Sequence, residues 1–261
     1  MPSADVLTQV ASQDEAIQRQ PQLPQKFSSV RDPLADPHVN GEYLKTNPTW
    51  HVEYSPWKAE NIYRFMDRNN LAPKTVCEVG CGAGEVLRQL QSKLSPDSRF
   101  WGYDVSPQAI AMARSRENAS LNFGVADFGE MQTPRFDLLL VLEVVDHVED
   151  YFGFLRMLKP RGDLKIFSFS LDISVQTALR GGALAQRRGV HHHLHHFSKE
   201  TALSVLKETG YEILDHMYPP PPPSRTSMQK LARPLRSISF AMNPDLSVRF
   251  FGGHSLLILA R

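Results

Sequence analysis

Apolar and polar positions follow two alternating periods in the middle of the chain. Runs of consecutive apolar residues, typical of buried strands, are separated by segments in which apolar residues recur every three or four positions, as in a helix with one buried face. The strand-like runs are Thr75–Val79, Phe100–Tyr103, Leu121–Val125, Phe136–Leu142 and Leu164–Phe169. The helical patterns cover Glu85–Leu94, Pro107–Arg116 and Tyr151–Leu158. This alternation predicts a doubly wound α/β domain, in which helices cover both faces of a parallel sheet.

The segments before this centre have a different texture. Residues 1–40 are rich in Gln, Pro, Asp and Ser and have no sustained period, so we expect a mobile tail. Residues 41–73 contain an aromatic cluster and then a helix predicted from Trp57 to Asn69, with Ser55 as its cap. We expect this second segment to form a lid.

The segments after the centre are also distinct. Residues 74–218 form the predicted core, which closes with a helix over Lys199–Thr209 and a strand over Tyr211–Met217. Five prolines, Pro219–Pro223, then form a stiff spacer that leads into a basic segment, and together residues 219–253 are predicted to be a cap. Residues 254–261 predict a last buried strand of the core.

Charge and composition exclude several classes of protein. The chain has 261 residues, of which 41% are hydrophobic, and its 29 basic and 28 acidic residues give a net charge of +1. This composition is that of a globular protein, and its near-neutral charge gives no global field for nucleic acid or an anionic membrane. A local basic patch remains open. We therefore expect no nucleic-acid partner.

Cysteine usage and hydropathy predict the compartment. The chain has two cysteines, Cys77 and Cys81, which lie too close in sequence for a secreted disulfide framework and lack the spacing of a zinc site. They are predicted to pack in the core. No apolar segment is long enough to act as a leader or to cross a membrane, so we expect a cytoplasmic protein without membrane insertion.

The sharpest local signal is the segment T-V-C-E-V-G-C-G-A-G-E-V-L, in which a strand, a glycine-rich turn and a helix follow each other. Such a turn brings backbone N–H groups close to a ligand, and Asp104, at the end of the next strand, can accept both hydroxyls of a ribose. Dinucleotide oxidoreductases and methyltransferases that bind S-adenosylmethionine both use this arrangement. The carboxylate of Glu78 would repel a pyrophosphate but attract an ammonium group, which favours the second class.

Five motifs follow in order between Lys74 and Tyr218: E-V-G-C-G-A-G, Y-D-V-S-P-Q-A-I-A-M-A, V-A-D-F, F-D-L-L-L-V-L-E-V-V-D-H-V-E-D and L-K-P-R-G-D-L. Together they resemble the class I S-adenosylmethionine-dependent methyltransferases, in particular the branch that modifies small molecules. The resemblance implies a Rossmann-like methyltransferase fold with seven strands, of which the last is antiparallel. It also implies S-adenosylmethionine as cofactor, residues 74–218 as the cofactor-binding catalytic core, and methyl transfer to an O, N or C atom of a small molecule. The pattern departs in one place, because Arg161 stands where a glycine is usual.

The same resemblance implies a set of cofactor contacts. The methionine part would contact Glu78, Gly80, Cys81, Gly82 and Gly84, and the ribose would bind Asp104. The adenine would contact Val105, Asp127 and Phe128. Glu143 and Val144 would face the reacting centre. An alternative for Asp104 and Asp127 is that they only cap helices. Both alternatives stay open from the sequence.

Half of the ten histidines lie in the run G-V-H-H-H-L-H-H-F-S. In the family that the motifs resemble, such a segment lies near the substrate pocket, so we hypothesise that His195 or His196 orients the acceptor or takes its proton. His147, in V-D-H-V, matches a family position often filled by histidine and is a third catalytic candidate. The alternatives are a solvated loop, with Phe197 as anchor and Ser198 as helix cap, and a His147 that only bonds to backbone. We predict no metal site, because such a site needs fixed geometry and ligands from elsewhere.

The segment Ser224–Gly253 has five basic residues and one acidic residue. It lies where the family that the motifs resemble builds substrate-recognition elements, so we hypothesise that Arg233 and Arg236 bind an anionic acceptor, opposite Trp50 and Tyr54 of the lid. A solvated charged face is the alternative. At the level of function, the alternatives are a protein or RNA methyltransferase and a module that binds the cofactor without catalysis.

Overall fold

The computed structural model describes residues 36–129, 131, 134–220 and 227–261. Seven strands form one sheet in the order β3-β2-β1-β4-β5-β7-β6. Strands β1 to β5 are parallel, whereas β7 runs antiparallel to both of its neighbours. The strands are β1 (Thr75–Val79), β2 (Arg99–Asp104), β3 (Leu121–Val125), β4 (Phe136–Leu142), β5 (Gly162–Leu171), β6 (Ile213–Met217) and β7 (His254–Ala260). The predicted fold, including its antiparallel last strand, is confirmed.

Helices cover both faces of this sheet, and buried apolar residues form one cluster on each face. Strand β4 is buried on both sides and is therefore apolar at nearly every position. The helices are α1 (Pro37–Asn40), α2 (Glu42–Thr46), α3 (Ser55–Arg68), α4 (Glu85–Gln91), α5 (Pro107–Ala113), α6 (Tyr151–Leu158), α7 (Val175–Leu179), α8 (Ala183–His191), α9 (Lys199–Glu208), α10 (Ser227–Met242) and α11 (Pro244–Phe251).

Local capping explains where several helices begin. The Ser198 side chain accepts the N–H of Thr201 and forms a capping box at the start of α9, as predicted, and Phe197 beside it is buried. The predicted cap at Ser55 is wrong, because Ser55 is already the first helical residue and Tyr54 occupies the cap position. Helices α7 and α8 lie in the segment that the sequence predicts as a loop. They bury no side chain fully, so no apolar period reveals them.

The N-terminal described segment packs against the body of the protein. Residues 1–35 of the predicted tail lie outside the described residues, and its last residues form α1. The carbonyl of Val39 accepts a hydrogen bond from Gln108 Nε2 at 3.2 Å, which ties α1 to α5. The segment thereby lies beside the carboxyl edge of the sheet.

Within the described ranges, no helix has both the length and the apolar character needed to cross a bilayer.

Candidate active site

A cavity of about 780 Å³ opens at the carboxyl edge of the sheet, where β1, β2, β4 and β5 end. All eleven predicted cofactor positions line it: Glu78, Gly80, Cys81, Gly82, Gly84, Asp104, Val105, Asp127, Phe128, Glu143 and Val144. Three further predicted residues also line it, namely His147, Trp50 and Tyr54. The structure therefore brings together residues that span about a hundred positions of the sequence.

The glycine-rich turn between β1 and α4 is held by the neighbouring strand. The N–H of Gly80 donates to the carbonyl of Tyr103 at 2.8 Å, and the N–H of Gly82 donates to Asp104 Oδ2 at 2.8 Å. The other carboxylate oxygen of Asp104 accepts the N–H of Ser106 at 2.8 Å. Asp104 is buried, and these two hydrogen bonds hold its carboxylate against the turn at the cavity wall.

Glu78 is the most informative group of this half of the cavity. Its side chain is 2% exposed, and Oε2 has no hydrogen-bond partner among the described residues. Burial raises the pKa of Glu78 to about 8, an effect that Lys58 opposes and Asp104 reinforces. A buried carboxylate of this kind fits a cationic ligand, because an ammonium group would supply both the missing hydrogen bond and the opposite charge. The residues present therefore fit the methionine part of S-adenosylmethionine.

Aromatic side chains of the N-terminal segment cover the glycine turn. Trp50 Cε3 lies 3.7 Å from the position that a Cβ atom on Gly82 would occupy. The rings of Trp50 and Tyr43 pack against each other with centroids 4.8 Å apart. This cover leaves no room for a large side chain at Gly82.

Lys58 and Glu143 form an ion pair on the opposite wall. Lys58 Nζ on α3 lies 2.6 Å from Glu143 Oε2, directly after β4. Burial alone would raise the pKa of Glu143, but the charge and hydrogen bond of Lys58 lower it overall. The backbone of Glu143 has a φ of 56°, which is uncommon for a residue with a side chain and often marks a functional position.

Two buried carboxylates flank His193 at the cavity wall. Its Nδ1 lies 2.7 Å from Asp172 Oδ2, and its Nε2 lies 3.8 Å from Asp146 Oδ2. Arg187 Nη1 is 2.8 Å from Asp172 Oδ1, and His196 Nδ1 is 3.1 Å from Asp172 Oδ2. Burial opposes protonation of His193, but the Asp172 hydrogen bond and the Asp146 charge raise its pKa overall. Asp146 itself has a pKa raised to about 7, mainly because it is buried.

The histidine run is oriented by its backbone. The carbonyl of Asp146 accepts the N–H groups of Leu194, at 2.7 Å, and His195, at 3.1 Å. This contact directs His193 into the cavity and His195 away from it, where His195 Nε2 donates to the carbonyl of Glu149 at 3.2 Å. His195 and His196 are not among the residues that line the cavity, whereas His193 and His191 are. A role of His195 or His196 towards the acceptor stays a prediction.

His147 bonds to backbone and also lines the cavity, so its catalytic role stays a prediction. Its Nδ1 donates to the carbonyl of His192 at 3.2 Å, and its side chain also lines the cavity. Burial, together with the neighbouring imidazoles, lowers the pKa of His147 to about 3. His147 is therefore neutral near pH 7 and keeps an acceptor lone pair on Nε2.

The basic cap does not supply the predicted anion site. Arg236 donates to the carbonyl of Gly252 at 2.6 Å and packs on Phe251, and it does not line the cavity. Arg249 pairs with Glu200 on the surface. The Arg233 side chain lies outside the described part of the structure. Arg236 therefore lies outside the cavity wall, and its contact with an anionic acceptor stays a prediction.

Arg161 has a role that the sequence did not predict. It stands at the usual glycine position, and its Nη1 donates to the carbonyl of Phe128 at 2.8 Å. Its guanidinium group also lies over the Phe128 ring, 5.3 Å from the centroid. Arg161 thus braces the turn that carries one of the predicted adenine contacts.

Two groups of side chains among the described residues could hold a metal ion. They are Asp146 with His147 and His193, and Asp172 with His193 and His196. In the second group, both imidazole nitrogens already face Asp172 as hydrogen-bond partners. The absence of a metal site stays a prediction.

Several lining residues were not predicted from the sequence. Asp172 directly follows β5 at the same sheet edge as Glu143, and that position is a usable signal. Lys58 and Arg187 lie within helices, and His254 is the first residue of β7. These three residues line the cavity, but their positions in the sequence give no such signal. Neither nitrogen of the buried His254 has a partner in the part of the chain that the structure describes.

A seven-stranded sheet with an antiparallel β7, a glycine turn after β1 and acids at the ends of β1 and β2 define the class I S-adenosylmethionine-dependent methyltransferases. A family model described as a methyltransferase domain matches residues 72–237, which is more than half of the chain. The chain belongs to this methyltransferase family, whose cofactor is S-adenosylmethionine.

Curated relatives match shorter stretches of the chain. A mitochondrial ubiquinone biosynthesis O-methyltransferase from Schizosaccharomyces pombe is 28% identical over 118 residues, covering 41% of this chain and 42% of the relative. A ubiquinone biosynthesis O-methyltransferase from Bradyrhizobium diazoefficiens is 34% identical over 102 residues, covering 36% and 39%. The matched stretches thus span less than half the length of these two relatives.

Solved structures share the fold. The plantazolicin methyltransferase BpumL, in complex with a substrate analogue and S-adenosylhomocysteine, superposes with a TM-score of 0.57 at 18% identity, covering 85% of this chain and 90% of that one. The N-methyltransferase NodS from Bradyrhizobium japonicum, with the same by-product bound, gives a TM-score of 0.53 at 18% identity, covering 84% and 97%.

Proposed function

We propose that this chain transfers a methyl group from S-adenosylmethionine to a hydroxyl group of a small-molecule acceptor, and that His193 takes the hydroxyl proton. The observation that carries this proposal is the position of His193 at the cavity wall, between the carboxylates of Asp172 and Asp146. The names of the two curated relatives described above, which are O-methyltransferases, support the same kind of acceptor atom.

The cofactor residues of the proposal are those that line the glycine-turn half of the cavity. Glu78 would pair with the ammonium group of the methionine part, and Asp104 would bind the ribose hydroxyls. Asp127 and Phe128 would contact the adenine, and Glu143 would lie at the reacting centre. When bound, S-adenosylmethionine supplies a methyl group that its sulfonium already activates, so the protein needs only to align the acceptor and exclude water.

His193 is suited to accept a proton through Nε2. Its Nδ1 hydrogen is held by Asp172, which fixes the tautomer and leaves the Nε2 lone pair free. When Nε2 takes the proton, the imidazolium is stabilised by Asp172 on one side and Asp146 on the other. The hydroxyl oxygen keeps the electron pair of its O–H bond and would form the new bond to the methyl carbon, while the electron pair of the broken carbon–sulfur bond would go to sulfur.

The remaining groups on the acceptor side favour a neutral acceptor. Among the described residues, the cations that line the cavity are Lys58 and Arg187, and each is paired with a carboxylate. His254 is neutral near pH 7, because burial and the charge of Arg236 lower its pKa to about 4. A neutral imidazole can donate and accept one hydrogen bond each, as a hydroxyl-bearing ligand requires. His147, also neutral, would orient the reacting hydroxyl.

The test is a screen followed by matched variants. S-adenosylmethionine with a labelled methyl group is incubated with a panel of phenols, catechols, amines and carboxylic acids. For the acceptor found, His193→Gln should lower kcat by about a hundredfold or more while the Kd of S-adenosylhomocysteine stays unchanged. His195→Gln, in the same histidine run but outside the cavity, should leave kcat unchanged. The acid limb of the pH–rate profile should report a pKa above the ordinary histidine value and should vanish in His193→Gln.

Three results would contradict the proposal. The first is methylation of amines alone, and the second is an unchanged kcat in His193→Gln. The third is loss of activity on chelation with recovery on adding a divalent cation, which would assign Asp146, His147 and His193 to a metal ion.

A further inference from the structure

Exposed apolar side chains are concentrated in one part of the molecule. We define the apolar–basic lobe as residues 173–191 and 227–251, which contain α7, α8, α10 and α11. Nine large apolar side chains are exposed in the described part of the chain, and all but Leu214 lie in this lobe: Ile173, Val175, Leu179, Val190, Ile238, Met242, Leu246 and Phe250. Scattered single apolar residues are normal on a surface, but this concentration is not.

The two segments of the lobe pack against each other. A Cβ atom on Gly252, at the end of α11, would lie 2.5 Å from Ser174 Oγ, at the start of α7. Arg236 on α10 donates to the carbonyl of the same Gly252. On α10 and α11, every fourth residue from Ile238 to Phe250 is apolar and more than half exposed, and Met242 reaches 82%. The apolar residues therefore belong to one connected surface element.

The charge of the lobe differs from that of the rest of the chain. The lobe contains seven Lys and Arg residues and one Asp, whereas the whole chain contains 29 basic and 28 acidic residues. The remainder of the protein is therefore acidic overall. Arg180 and Arg188 are exposed within the lobe, whereas the exposed Arg249 is paired with Glu200. The near-neutral total thus hides a local excess of basic residues beside exposed apolar side chains.

The lobe borders the acceptor side of the cavity. Arg187 and His191 of α8 line the cavity, and so do Gly253 and His254, which directly follow α11. Asp172, the partner of His193, directly precedes the lobe. Whatever the lobe binds is thereby held next to this wall of the cavity.

We propose that the apolar–basic lobe docks the protein on a membrane surface that contains anionic phospholipids. Basic residues are attracted to anionic headgroups, and exposed apolar side chains insert at the headgroup boundary. The helices are too short and too polar to span the bilayer, so the protein lies on it. A second copy of this chain is the less favoured occupant, because it would bring two basic lobes together. The proposal does not depend on the acceptor or on turnover.

Co-sedimentation with vesicles tests the proposal directly. Purified full-length protein is mixed with vesicles of phosphatidylcholine alone and with vesicles in which about a third of the lipid is phosphatidylglycerol. We expect binding to the second kind, weakened by added salt. The variant Leu179→Ser/Met242→Ser/Phe250→Ser should reduce the partition coefficient about tenfold or more. Arg180→Glu/Arg188→Glu should also reduce it, while Leu214→Ser, the exposed apolar residue outside the lobe, should not.

The outcomes separate the alternatives. Calorimetry with S-adenosylhomocysteine should give the same Kd for all variants, which shows that each is folded. No sedimentation with either kind of vesicle, or equal sedimentation of the triple serine variant, would overturn the proposal. A dimer that the triple serine variant dissociates, without vesicle binding by the original protein, would assign the lobe to self-association.

Discussion

Lys58 Nζ and Glu143 Oε2 lie 2.6 Å apart and join helix α3 to the end of β4. The pair connects a segment that precedes the sheet to the centre of the carboxyl edge. It also places a compensated pair of charges, rather than a free lysine, beside the proposed reacting centre. Both side chains are about a quarter exposed, so the pair is neither a surface salt bridge nor a fully buried one.

Replacing one partner of this ion pair should lower the free energy of unfolding more than replacing both. Lys58→Met leaves the Glu143 carboxylate without its counter-ion, and we expect a loss of roughly 2 kcal/mol in the free energy of unfolding. Glu143→Gln added to Lys58→Met should recover part of that loss. Urea unfolding of the two single variants and the double variant measures the coupling. Additive losses would show that the two groups do not interact energetically.

Glu78→Gln separates cofactor binding from folding. The amide cannot attract an ammonium group, so we expect the Kd of S-adenosylhomocysteine to rise about tenfold to a hundredfold by calorimetry. Glu78→Gln should not lower stability at pH 7, because a neutral amide replaces a buried group whose ionisation the fold disfavours.

The pH dependence of stability follows from the same shift. The folded-state pKa of Glu78 is about 8, above the ordinary value of 4.5. Between these values the unfolded chain has lost the proton while the folded protein keeps it, so this group destabilises the fold as pH rises through the window. The advantage of Glu78→Gln over the original protein should therefore grow from pH 4.5 to pH 8. A constant difference would mean that Glu78 is ionised throughout.

Gly84 is required by the conformation of the turn. Its φ is 75°, and a Cβ atom there would lie 2.4 Å from Phe123 Cζ. Gly84→Ala should cost roughly 1–3 kcal/mol in the free energy of unfolding, from backbone strain and displacement of the Phe123 ring. Gly181→Ala is the matched control, because nothing lies within 4 Å of its added Cβ atom and its φ is ordinary. Thermal and urea unfolding of both variants make the comparison, and equal stabilities would refute it.

Glu85 should stabilise the start of α4 only when ionised. Burial would raise the pKa of Glu85, but hydrogen bonds from Arg88, Arg116 and Gln89 lower it to about 2. This stabilisation is complete above the ordinary value of 4.5 and is lost as pH falls towards 2. Glu85→Gln should therefore lower stability at pH 7 by roughly 1–2 kcal/mol, and the difference should shrink with acid. Urea unfolding at several pH values decides the question; a difference that persists at pH 2 would point to packing instead.

The parts of the fold that local pattern specifies were predicted from the sequence. The bounds of β1, β3, β4 and α6 match the predictions, because turn residues bound each apolar run. Strand β5 extends beyond its predicted ends, because it pairs with β4 from Gly162 and with β7 as far as Leu171. That pairing is non-local and leaves no periodic signal in the segment itself.

The candidate site divides in the same way. The residues proposed to contact the cofactor could be grouped from the sequence, because strand ends and a glycine turn place them at one edge of the sheet. The sequence did not predict that His193 lines the cavity, because no local pattern distinguishes one histidine of the run from the next. Only the hydrogen bonds from Leu194 and His195 to the carbonyl of Asp146 distinguish them.

Strand β6 joins the sheet through β7, which is made later than every other strand. During synthesis, β6 therefore stays unpaired until its partner β7, which begins about forty residues later in the sequence, has left the ribosome. Until then β5 presents an unpaired apolar edge, which is a template for association between nascent chains. Chaperone demand during translation should accordingly fall at the point where residues 254–260 emerge.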